Sequence, residues 1–185
     1  MSAIRNRILE FRILSLRDTE AFGEYYQVHK TEVYQFILAR VNASELAEDL
    51  TSEVFTRVCQ YLFEDKRPVT HLRGFLFSIA RSLIIDHYRR QGKREVTLEP
   101  HDPFFSRLAD STEAAAQAMD ASLDWQRLWQ TVLRLRPEYR EVISLRFVDD
   151  FSIEEIAVIL EKSQGAARVL IHRALRALEK ELMNS

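Results

Sequence analysis

Leu46, Leu50, Val54, Val58 and Leu62 recur at every fourth position. The residues two places beyond the first four of them, Glu48, Ser52, Thr56 and Gln60, are polar. A strand would put both sets on one face; a helix puts them on opposite sides, so the spacing calls for a helix with one buried stripe. The spacing returns in Leu72, Leu76, Ile79 and Leu83, and again in Ala167, Ile171, Ala174, Leu178 and Leu182. Four glycines and four prolines interrupt 185 residues, and strand-like alternation is nearly absent. An all-α fold of one or two small helical domains is expected.

No apolar run approaches the length of a membrane span, so no membrane insertion is expected. The segment MSAIRNRILEFRIL mixes arginines with apolar residues and lacks a small-residue cleavage site, so no secretory signal is expected. Cys59 is the one cysteine, which leaves no intrachain disulfide and fits a cytoplasmic setting. Val58 and Leu62 beside it suggest a core thiol rather than a reactive one.

Charge divides the chain. Residues 67 to 94 carry seven basic residues against Asp86. Residues 96 to 124 carry six acidic residues against Arg107, with Pro100 and Pro103, and read as a linker. Residues 161 to 180 carry five basic residues against Glu161 and Glu179. A formal charge of only −2 therefore hides two basic modules joined by an acidic segment. Two basic runs, each on a helix with a patterned apolar face, favour a polyanionic partner over mere solvated faces.

In the first module, a helix over residues 20 to 41 is followed by Asn42 and Ser44 as break and cap. The next helix, from about Glu45 to Leu62, sets Glu45, Glu48, Asp49, Ser52 and Glu53 largely off its buried stripe. That acidic face is either simply solvated or a dock for a basic partner. A third helix begins near Thr70 or His71. Its stripe continues into His87, which reads as a packed histidine. Ser78, Ser82, Asp86, Arg89 and Lys93 line another face, with Arg81 beside it. Arginines near aromatic residues suit single-stranded nucleic acid, where cations hold phosphates and rings stack on bases. Phe75 and Phe77 fit a core role equally well.

In the second module, LDWQRLWQTVLRL turns Leu128, Val132 and Leu135 inward, and Pro137 opens the next helix. Asp149 and Asp150 end it. Ser152 with Glu155 forms a capping box, and the small Ala157 lies where two helices approach. Ser163 can cap the last helix. Its apolar row faces the core, while Gly165, Arg168, His172 and Arg176, flanked by Val169 and Arg173, face outward. This is what a recognition helix in a major groove requires. Glu161 occupies the turn position where glycine often sits.

These segments, in this order, resemble bacterial RNA polymerase sigma factors of the extracytoplasmic-function group of the sigma-70 family, over about residues 20 to 182. AEDLTSEVF (47–55) is similar to the segment that docks on the polymerase clamp of the largest subunits. LRGFLFSIARSLIIDHYRRQGK (72–93) is similar to the part that melts and reads the −10 element. Residues 135 to 178 are similar to the −35-binding module. The resemblance implies an extension over 1–17, a region 2-like domain over 18–95, an acidic linker over 96–121 and a region 4-like domain over 122–185. It implies that Asp49 and Glu53 contact polymerase with Phe55 packed beneath. The loop from Phe63 to His71 would hold a flipped −10 base, with Lys66 and Arg67 near DNA, and Arg81, Arg89 and Arg90 would hold the strand or the upstream duplex. Arg168, His172, Arg173 and Arg176 would meet the −35 groove. Implied partners are core RNA polymerase, promoter DNA and an inhibitory anti-sigma factor. Ser52 stands where the family usually has glutamine, and Ser82 where asparagine is common. Val169 and Leu170 stand where polar or basic residues are frequent. Residues 1 to 17 have no family counterpart and read as a disordered arm or an extra helix.

Two other classes are weighed against this. An enzyme would need a chemical constellation, yet there is no Walker loop, GxGxxG or HExxH, and the five histidines are scattered. No catalytic residue, metal or cofactor is therefore expected. A stand-alone helix-turn-helix repressor or activator would account for residues 152 to 178 but leave the long third helix and the acidic face without a task.

Overall fold

The computed structural model describes residues 3–64, 68–92 and 128–183, and every regular element among them is helical. α1 (Ala3–Leu16) lies on α2 (Thr19–Val41) through the buried Leu9 and Ile13. Residues 3 to 16 thus form an extra helix. Asp18 caps α2, its carboxylate accepting from the Ala21 N–H at 3.0 Å while Arg12 holds it at 2.6 Å. These contacts, the backbone N–H of Ala21 first, keep Asp18 below the usual carboxylate range. Asn42 ends α2 in the left-handed region at φ 52°, donating its N–H to the Leu38 carbonyl.

α3 (Ser44–Cys59) buries the expected row at Leu50, Val54 and Val58, with Leu46 half-buried. Ala43, not Ser44, holds its cap position and supplies no side-chain bond. A π-helical turn over Gln60–Glu64 follows, with Leu62 buried within it. α4 (Leu72–Arg90) starts after His71, again without a side-chain cap. Leu72, Leu76 and Leu83 are buried, and Ile79 and His87 are half-buried. Phe77 belongs to the core, edge-on to Phe36 of α2 with ring centroids 5.0 Å apart.

The C-terminal body begins with α5 (residues 128–133), in which Val132 is buried and Leu128 half-buried. α6 (Pro137–Ile143) opens on its proline and continues into a π-helical turn over Ser144–Val148, closed by the Asp149 N–H on the Ser144 carbonyl. α7 (Ile153–Ile159) carries the expected capping box in full, with the Glu155 N–H on Ser152 Oγ and the Ser152 N–H on the Glu155 carboxylate. The chain leaves α7 through Glu161 at φ 53°, with the Lys162 N–H on the Ala157 carbonyl and the Glu161 N–H on that of Val158. Such a left-handed closure normally takes glycine. α8 (Gln164–Met183) is capped by Ser163, whose Oγ accepts from the Ala166 N–H at 3.1 Å. Ala167 and Ala174 are buried against α6 and α7, and Ile171 and Leu178 are half-buried. Leu182, expected on the same row, is 46 % exposed.

The two bodies pack on each other chiefly through α4 and α7. Phe151, just before α7, is fully buried between Phe77 and Phe36, at centroid distances of 4.7 and 6.2 Å. Gly74 lets the helices touch: a Cβ there would lie 3.2 Å from both Glu155 Cα and Val158 Cβ.

Candidate nucleic-acid interface

α8 separates its duties by angle. At 100° per residue, the buried alanines fall on one side, while Gly165, Val169, His172 and Arg176 fall on the other, with Arg168 and Arg173 at its flanks. All six of these residues are exposed. Arg176 makes a loose 3.5 Å pair with Glu179 in the next turn, too exposed to immobilise it. The packing that locks the inner side of α8 leaves its outer side exposed among the described residues. A duplex groove could receive that side without any rearrangement.

The basic residues of α4 have a different fate. Arg81 donates from Nε to Glu141 of α6 at 2.6 Å and from Nη2 at 3.1 Å. That bidentate contact raises its pKa further. Its guanidinium, expected on DNA, is committed here to the C-terminal body. Arg89 and Arg90 are exposed, with Asp86 4.0 Å from Arg89.

Two more arginines cross the same boundary. Arg73 pairs with Glu32 of α2 and, at 2.8 Å, with Glu155 of α7, and its guanidinium lies 4.3 Å from the Phe151 ring centre. Burial disfavours its charge, but the two carboxylates outweigh burial and raise its pKa. For Glu32, burial pushes upward, yet the bonds from His29 and Arg73 win and hold the carboxyl below its usual range. Arg40 is buried on the Phe36 ring and donates to Asp149 at 2.7 Å. All three arginines come from the N-terminal body, and Glu141, Asp149 and Glu155 all come from the C-terminal body. Removing one partner from a buried pair costs about 3–5 kcal/mol. The more exposed Arg81 pair is worth less, because water competes for both ions.

The sequence reading did not single out Arg40, Glu141 or Gly74, and it read Asp149 only as a helix end. A glycine in the first turn of a helix was the available signal: it is a poor helix former and is kept where backbones approach closely.

On α3, Asp49 and Glu53 are exposed on the outer face. Glu53 is met by Arg57 one turn on, both half in solvent. Phe55 is buried beneath them, edge-on to Tyr26 at 4.8 Å and to Phe22 at 6.5 Å. Cys59 is half-buried, and burial pushes its thiol upward, away from reactivity. Lys66, Arg67 and the acidic linker over 96–121 lie outside the described residues, as does most of the boundary at 95. Among the described residues no helix is long and apolar enough to cross a membrane, and no cluster of metal-binding side chains occurs.

Comparison with known proteins accords with this division. A family profile described as Sigma-70 region 2 matches residues 25–94, and one described as Sigma-70, region 4 matches residues 125–178. The chain is 32 % identical over 169 residues to the ECF RNA polymerase sigma factor BldN of Streptomyces coelicolor, covering 89 % of this chain but 61 % of BldN, and so spans less than two thirds of that relative. It is 31 % identical to the RNA polymerase sigma factor CarQ of Myxococcus xanthus, over 88 % of this chain and 90 % of CarQ. CnrH, solved in complex with the cytosolic domain of CnrY, shares the fold at a TM-score of 0.60 and 23 % identity, covering 98 % of this chain and 99 % of CnrH.

Proposed function

We propose a division of labour within this chain, which belongs to the extracytoplasmic-function group of the sigma-70 RNA polymerase sigma factors and directs transcription initiation. It is not an enzyme of its own; the polymerase performs the chemistry. In this reading α3 docks on the clamp of core polymerase through Asp49 and Glu53, over the buried Phe55. α4 and the loop before it, with Lys66, Arg67, Arg81, Arg89 and Arg90, melt and hold the −10 element. α8 reads the −35 element through Arg168, His172, Arg173 and Arg176. The 18–95 and 122–185 domains are the working units, with 96–121 as tether.

The arrangement of α4 on α7 is then a closed resting form. The observation that carries this reading is the asymmetry of exposure: the α8 face stands open, while Arg81 is bonded to Glu141. Arg81 cannot serve a DNA strand and Glu141 at once, so binding of polymerase and promoter must compete with the contact between the bodies. An anti-sigma protein, such as the anti-sigma factor NepR solved with the sigma factor RpoE of Bartonella quintana, would act on the same equilibrium by favouring one arrangement. The setting proposed is cytoplasmic.

The test is transcription from a supercoiled template by purified chain with core polymerase. The reading expects initiation at a start site that depends on both upstream elements, with little duplex binding when polymerase is left out. A chain that footprints promoter DNA alone and does not associate with polymerase would be a stand-alone duplex-binding regulator instead.

A further inference from the structure

The outer face of α8 contains a feature that arginine chemistry leaves unexplained. Val169 is 49 % exposed, between Gly165 and His172 on the outward arc, with Arg168 and Arg173 on its flanks. It lines a groove together with Glu138, Tyr139, Lys162, Ala166, Leu170 and Arg173. Gly165 and Ala166 carry nothing beyond Cβ, and the nearest atom to a Cβ built on Gly165 is Ser163 Oγ at 4.0 Å. The first turn of α8 can therefore come close to a flat surface. A β-branched side chain in a helix has one strongly preferred rotamer, so the Val169 methyls are held in place before any partner arrives.

We infer that Val169 is the contact for the C5 methyl of one thymine in the −35 element. This rests on the reading of α8 as the −35 helix and extends it to the base recognised. The major groove exposes one apolar group on the four bases, the thymine methyl, and apolar side chains recognise it. The cations around Val169 suit phosphates and guanine edges, so the valine adds what they lack: discrimination for a pyrimidine methyl. The closed arrangement leaves this subsite as open as the rest of the outer face.

The experiment uses the full chain with core polymerase and a promoter selected from a library with a randomised −35 region. Each thymine of the selected element, on either strand, is replaced singly by deoxyuridine, which removes the methyl and nothing else. One position should lose roughly fourfold in initiation at limiting protein, the size of one methyl withdrawn from an apolar contact. Val169→Ser should be indifferent to that same replacement, and V169A, which keeps one apolar carbon, should respond less than the wild type; both substitutions fall at an exposed position, so folding is preserved and checked by circular dichroism. Deoxyuridine that is neutral everywhere, a selected element without thymine, or a Val169→Ser protein that still senses the methyl in full overturns the inference while leaving −35 reading intact. A −35 element that can be scrambled without loss overturns the parent reading as well.

Discussion

Gly74→Leu pries at the contact between α4 and α7 from its tightest point. The three atoms nearest to a Cβ at residue 74 all belong to α7, at 3.2, 3.2 and 3.4 Å, and two of them are backbone. A side chain at residue 74 therefore meets the other body at its first atom. Overpacking of this kind costs about 1–3 kcal/mol. Within α4 itself, replacing glycine by a better helix former is favourable. The substitution should thus stabilise its own helix while shifting the closed form toward an open one by roughly 5- to 150-fold. Small-angle scattering should report a larger radius of gyration than for the wild type, with helical content kept. Initiation with core polymerase should reach half-maximum at lower protein concentration, because less of the chain is withheld. An unchanged radius of gyration in a folded protein would refute the reasoning, as would a larger radius with no gain in initiation. Gly74→Ala should move both readouts in the same direction by less.

Other outcomes follow from the same structure. Arg168→Ala and Arg173→Ala should weaken −35-dependent transcription, and each should lower the slope of log activity against log salt by about one unit if it holds a phosphate. Glu10 is raised by burial first and then by the like charge of Glu155. Its folded form therefore favours the proton: it contributes stability at low pH that is lost as pH rises through its folded pKa. Glu10→Gln should accordingly raise the melting temperature at neutral pH and lose that advantage as the medium is acidified. Glu32 has the opposite sign, since its folded pKa is depressed. Its contribution is present above the unfolded pKa and lost as pH falls through the folded one, and Glu32→Gln should remove that part of the acid sensitivity in a pH series of denaturant melts. Phe55→Ala should destabilise the N-terminal body by about 3–5 kcal/mol in denaturant unfolding, whereas Asp49→Arg should leave stability nearly unchanged and abolish capture by core polymerase.

Much of the architecture was legible because its signals are local. The apolar rows of α3, α4 and α8 come from spacing within one helix, and the Ser152–Glu155 box from two residues three apart. Glu161 could be marked as strained because a left-handed turn follows α7 whatever packs around it. Ser44 misled because a serine before a helix looks the same whether it sits at the cap or one position inside. The contacts between the bodies had no local signature. Arg40–Asp149, Arg73–Glu155 and Arg81–Glu141 are separated by 109, 82 and 60 positions. An arginine on an outward helical face reads the same in sequence whether it awaits a phosphate or is already matched by a distant carboxylate. Arg81 is the residue on which that ambiguity bears most, since the open and closed forms assign it different partners.

Parting of α4 and α7, which pack together in the structure, is what the proposed mode of action requires. It is tested most directly by a pulsed dipolar distance between spin labels at Ser82 of α4 and Lys162 beyond α7, both exposed, in a Cys59→Ser background. One short distance is expected in the free chain, replaced by a longer one in the transcribing complex with core polymerase. A short distance that persists in an active complex, or a long one in the free protein, would contradict it.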